Sequence, residues 1–139
     1  MWTAEHSTPI AAPAERVWHL FTDVAGWPRW NIGVAGMRLH GPFADGTRFA
    51  MQLPDGGPVL HSTLTDVRPL QGFVDVTEFA GVRVQVAHEI TAREEGGVRV
   101  VYRIQVDGPG AEDIGPGIAA DFPTVLAALR REAEAAPPA

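Results

Sequence analysis

The sequence predicts an α+β domain: a seven-stranded antiparallel sheet with helices on one face, curled around a long C-terminal helix. Three observations carry this. Six strand-like runs follow one another with separators of turn length, too short for crossover helices, so neighbours run antiparallel. The last two runs alternate cleanly between an apolar and a polar face. Finally, Gly110–Ala136 places Ile118, Phe122, Val125, Leu126 and Leu129 at helical steps, opposite Asp121, Arg130, Glu132 and Glu134. A helix striped in this way must lay its apolar side on a partner.

Taken in order, Trp2–Ile10 alternates loosely, with Trp2, Ala4, His6, Thr8 and Ile10 on one face, and reads as a strand. Pro9 marks it as an edge strand or as its end. Ala12–Asp23 is a helix, with Pro13 suited to its first turn and Val17, Leu20, Phe21 and Val24 on its buried side. Gly26 and Pro28 end it, and Trp27–Asn31 forms a compact aromatic turn or a short second helix. The strands that follow are Val34–His40, Thr47–Leu53, Val59–Val67, Gly72–Phe79, Val82–Arg93 and Val98–Val106. Turn chemistry separates them: Gly41-Pro42, Pro54 to Pro58, Arg68 to Gln71, Ala80-Gly81 and Glu94 to Gly97. In the final helix, Gly115-Pro116-Gly117 and Pro123 are expected to break the first half. One domain over residues 1–136 and a disordered tail at 137–139 are expected.

Composition narrows the function. The net charge is −6, and arginine is the only strong base. An acidic chain without a basic run argues against nucleic-acid binding and against a polybasic membrane patch. Without cysteine, thiolate catalysis and Cys-based zinc sites are excluded. No metal-ligand spacing, P-loop, dinucleotide fingerprint or nucleophile elbow is present, so no cofactor or metal is expected. No run approaches the ~20 apolar residues of a membrane span. Met1–His6 lacks the basic-then-apolar pattern of a secretion signal, which makes the cytoplasm the expected compartment. The edge strand leaves both monomer and homodimer open.

Four stretches carry a resemblance. They are Ile10 to Trp18; Thr22-Asp23 with Trp27 to Asn31; Gly41-Pro42-Phe43 with Gly46 to Phe49; and Gly96 to Val100 leading through Val106 to Pro109 into the final helix. In this order they resemble the helix-grip fold of START-like and birch-pollen-allergen-like proteins, the SRPBCC superfamily. More narrowly, they resemble its bacterial polyketide cyclase/dehydrase-like members. The resemblance covers almost the whole chain. It implies a long cavity between the sheet and the C-terminal helix, holding a hydrophobic or aromatic ligand, lipid or polyketide-like. The alternative it implies is a polyketide cyclase/aromatase or dehydratase.

Strand and helix parity nominates the lining of such a cavity: Phe49, Met51, Phe79, Val84, Val86, His88, Tyr102 and Ile104 from the sheet, and Ile118, Phe122, Val125 and Leu126 from the helix. Trp30 and Met37 are placed near its mouth. The same apolar residues would equally serve as plain core. His88 and Tyr102 are the candidate acid/base pair, since a histidine can shuttle a proton near neutral pH and a phenol can donate to a ligand oxygen. Set against that role, either can simply be a satisfied core residue. Asp75 and Glu78 fall on opposite faces of one strand, so at most one points inward, and the valines and phenylalanines around them leave open which.

Overall fold

The computed structural model describes residues 1–135; the expected tail at 137–139 lies outside them. Seven strands form one antiparallel sheet: β1 (Trp2–Ile10), β2 (Gly36–Leu39), β3 (Arg48–Gln52), β4 (Leu60–Arg68), β5 (Gly72–Phe79), β6 (Val82–Ala92) and β7 (Val98–Asp107). Their spatial order is β1-β7-β6-β5-β4-β3-β2, so every chain neighbour after β2 is also a sheet neighbour. The first strand closes against the last. Helix α1 (Ala14–Thr22) and a 3-10 helix (Val24–Arg29) connect β1 to β2, while α2 (Ala111–Ala119) and α3 (Phe122–Glu134) follow β7. This is the helix-grip architecture.

Registers follow from the turns. Ala80 and Gly81, at φ 53° and 80°, join β5 to β6 as a two-residue turn with both central residues left-handed. Phe79 then faces Val82, Asp75 faces Val86, and Phe73 faces His88. The β4–β5 pairing is interrupted between Thr65 and Arg68, where Asp66 takes φ 49°.

Apolar burial falls into two clusters. The larger gathers Phe21, Trp27, Trp30, Phe49, Phe73 and Leu129 beneath α1, the 3-10 helix and α3. The smaller joins Val82, Val84, Val86, Ile104 and Val106 to Ala111 and Ala119 of α2. Phe122 packs against both. Helix α3 rests on β1 and α1, and α2 rests on β7 and β1. Polar ties reinforce that side: the Ala11 amide donates to Glu134 Oε2 at 2.8 Å, and Arg16 donates to the Glu132 carbonyl at 2.9 Å.

Two sequence expectations need correction. The C-terminal helix is broken, but not at Gly115–Gly117, which lies within α2. A Cβ on Gly115 would sit 2.2 Å from the Trp2 indole, so this glycine lets helix and strand approach closely rather than hinge. The break comes at Ala120-Asp121, with Pro123 inside the first turn of α3, where its missing N–H costs nothing. Trp30, expected near a cavity mouth, is instead 2% exposed in the larger core, tilted against Trp27 with ring centroids 5.6 Å apart. The 3-10 turn folds it inward, a tertiary outcome that strand parity does not reach.

Candidate functional site

The inner face of the sheet can be read from the alternation. On β6 it carries Val82, Val84, Val86, His88 and Ile90, all buried, while Arg83 faces water. On β7, Tyr102, Ile104 and Val106 point inward and Arg103 outward. On β5 the inner residues are Phe73, Asp75, Thr77 and Phe79, and Glu78 is exposed. The inward carboxylate is therefore Asp75.

His88 is held by rings. It stacks on Phe73 with centroids 4.1 Å apart and planes 10° from parallel, and meets Tyr102 edge-on at 4.5 Å and Phe21 at 5.8 Å. Its Nδ1 is buried without a hydrogen-bond partner. Its Nε2 faces Asp75, 3.9 Å from Oδ2, beyond hydrogen-bond reach. Burial drives the imidazole down to about 3, so it is neutral at physiological pH. Burial drives the Asp75 carboxyl the other way, up to about 7. Tyr102 is pushed above its usual range by burial first and the Asp75 charge second, and so keeps its proton. Three polar groups from adjacent strands thus converge on an otherwise apolar face.

Asp75 is deep in the fold, yet 14% of its side chain remains reachable by solvent. Its immediate neighbours Leu64, Val86, Phe73 and Thr77 are buried, whereas Met37, Met51, Leu60 and Phe79, farther along the inner face, are only partly buried, as are Ile118 and Phe122 of the C-terminal helices. The C-terminal helices account for this by resting on β1 and β7. Met37 and Met51 pack on the larger apolar cluster and Phe79 and Ile118 on the smaller, with Phe122 against both. Ser62 and Thr77, paired across β4 and β5, are buried with their hydroxyl oxygens 2.5 Å apart.

The nominated residues thus divide. Val84, Val86, Ile104, Phe49, Val125 and Leu126 are fully packed core. Met37, Met51, Phe79, Ile118 and Phe122 are only partly buried. His88 and Tyr102 come together as expected, and Phe122 meets Tyr102 edge-on at 5.5 Å. Ser62 and Thr77 were not singled out from sequence; neither residue type stands out in a strand until its face is known. Two concavities lie on the sheet. One, of about 570 Å³, is on the outer face, lined by Thr3, Glu5, Gln85, Ala87 and Arg103. The other, of about 290 Å³, follows the bulged end of β4 to β6 past Arg68 and Gln71, and Phe73 and His88 form part of its lining. Across the outer face, Arg103 bridges Glu5 and Glu89, joining β1, β7 and β6. Among the described residues no three His, Asp or Glu side chains are arranged to hold a metal, and no helix is long and apolar enough to cross a membrane.

Comparison with known proteins places this geometry. By sequence, no curated protein matches the chain. Among solved structures it is similar to protein MLL2253 from Mesorhizobium loti, with TM-score 0.79 and 19% identity over 94% of this chain and 96% of that one. It is also similar to the di-domain ARO/CYC BexL from the BE-7585A biosynthetic pathway, with TM-score 0.81 and 16% identity over 98% of this chain, which spans 51% of BexL. Ara h 8.0201 is similar as well, with TM-score 0.74 and 13% identity over 94% of this chain and 95% of that one. At these identities the likenesses establish the fold alone. The family model described as polyketide cyclase / dehydrase and lipid transport matches residues 1–134, and the chain belongs to that family, within the SRPBCC superfamily.

Proposed function

We propose that the protein binds a hydrophobic or aromatic small molecule, lipid- or polyketide-like, between the β3–β5 inner face and the α2–α3 break. The supporting observation is that Met51 and Phe79 on the inner face of the sheet, and Ile118 and Phe122 on the C-terminal helices, are apolar yet keep part of their exposure. Apolar walls with a few polar groups are the usual make-up of a small-molecule site. Native mass spectrometry of the protein purified from its own host is the test, followed by titration with the neutral fluorophore N-phenyl-1-naphthylamine. A retained apolar ligand, or probe binding that Phe122→Trp weakens, is expected. No retained ligand together with no probe binding would overturn the reading.

A second reading, a polyketide cyclase/aromatase or dehydratase, is favoured by the convergence of Asp75, His88 and Tyr102. A useful general base titrates near the working pH. His88, held at about 3, is a weak base, and Asp75, at about 7, is the better matched one. In this reading Asp75 takes a proton α to a substrate carbonyl and returns it. Tyr102 donates its hydroxyl hydrogen to the carbonyl oxygen as charge develops there, and neutral His88 packs on Phe73 and Tyr102 beside the carboxyl. With a confirmed substrate, Asp75→Asn should lower kcat by at least about a hundredfold, and Tyr102→Phe by about tenfold. Unchanged turnover in both variants sinks the catalytic reading and leaves binding intact.

A further inference from the structure

We propose that the molecule taken by this cleft carries a basic nitrogen: an apolar or aromatic compound with one ammonium group, which Asp75 holds as a carboxylate. The inference deepens the binding reading above and rests on it. Asp75 sits mid-strand on the inner face, between Leu64 of β4 and Val86 of β6. Neither neighbour can donate a hydrogen bond from its side chain, and among the described residues no side-chain or backbone donor bonds the Asp75 carboxyl. The nearest basic atom is His88 Nε2 at 3.9 Å, on an imidazole that packing keeps uncharged.

Among the described residues no arginine pairs with Asp75, and the partly buried Arg16 donates to the Glu132 carbonyl instead. The strand arginines Arg38, Arg48, Arg83, Arg99 and Arg103 are all exposed. Arg29, Arg68, Arg93 and Arg130 pair with Asp23, Asp66, Glu95 and Glu134 elsewhere. The remaining titratable groups on the inner face near Asp75 are His88 and Tyr102, with His6 of β1 against Phe122. A desolvated carboxyl with no partner is costly to keep, and a ligand ammonium would supply both the missing charge and the missing donors. The surroundings point the same way. Phe73 lies next to Asp75 on its own strand face, and the His88 ring beside the carboxyl packs on Phe73 and Tyr102, so aromatic rings surround this part of the inner face. Rings beside a carboxylate suit an organic cation, whose charge they attract. An anionic ligand such as a free fatty acid would meet repulsion at the same point.

Decylamine, decanol and decanoate share one tail and differ in charge, and calorimetric titration at pH 8 separates them. Decylamine should bind the native protein at least about tenfold more tightly than decanol, with decanoate weakest. In Asp75→Asn, checked for folding by circular dichroism, decylamine and decanol should come within about threefold of each other. Equal binding of amine and alcohol to the native protein, or an amine preference that survives in Asp75→Asn, overturns the ammonium assignment while the cleft reading stands. If none of the three binds, the cleft reading fails and this inference falls with it.

Discussion

The imidazole of His88 lies flat on the ring of Phe73, centroids 4.1 Å apart, with one nitrogen sealed in and the other turned towards Asp75. The two-residue turn at Ala80-Gly81 sets this pair opposite each other across β5 and β6. A stacked, buried imidazole has little room for a charge. Its proton affinity in the fold is therefore depressed, to about 3, against 6.5 in the open chain. The stability tied to His88 is fully present above 6.5 and is lost as pH falls towards 3. In nuclear magnetic resonance, the His88 ring signal should hold one position from pH 8 down to pH 5. A midpoint above 6 would contradict the packing described.

Asp75 has the opposite sign. Its carboxyl is raised in the fold from 3.8 to about 7, so its stabilising contribution is present below 3.8 and lost as pH rises through 7. Asp75→Asn should therefore stabilise the ligand-free protein at pH 8, by up to about 4 kcal/mol, with the gain fading as pH is lowered from 7 to 4. Urea unfolding at both ends of that range checks it. A variant less stable than the native chain at pH 8 refutes it.

Gly115 and Gly117 share a helix but should respond in opposite directions. A methyl at Gly115 meets the Trp2 ring at 2.2 Å, whereas one at Gly117 meets nothing within 4 Å. Gly115→Ala is expected to lose about 1–3 kcal/mol to overpacking, despite the better helix propensity of alanine. Gly117→Ala should gain up to about 1 kcal/mol. Paired thermal melts decide it, and equal shifts would show that α2 does not press on β1 as described.

Phe122 links the two apolar clusters. Phe122→Ala should cost about 2–3 kcal/mol, at the low end for a phenylalanine because the ring is only partly buried. The measurement is chemical denaturation. A loss below about 1 kcal/mol would mean that the clusters are held together without it.

Much of this was legible in the sequence where one rule dominated locally. The alternation of β6 and β7 announced which face is dry, and Gly72–Phe79 matched its strand to the residue. The orientation of Asp75 was also within reach. Val82, Val84 and Val86 fixed the inner face of β6, and a two-residue hairpin pairs residues whose numbers share one sum. Phe79 with Val82 therefore gives Asp75 with Val86. Treating each strand alone concealed this. Trp30 and Gly115 were out of reach for a different reason. Their roles depend on tertiary packing, the 3-10 turn folding Trp30 against Phe21 and Trp27, and Trp2 from the far end of the sequence pressing on Gly115. No local propensity reports such contacts. The partial exposure of Met51 and Phe79 likewise comes from where two helices come to rest.

The tie between Ala11 and Glu134 spans 123 residues, and the β1–β7 ladder spans nearly as many. The inner face cannot be sealed until segments from opposite ends of the sequence meet, so little of the final core can form early. Contacts of such separation place the domain among slow folders. Until that closure, the hairpins from β3 to β7 would present a bare apolar surface. During that interval the growing chain is most exposed to aggregation and in greatest need of a chaperone.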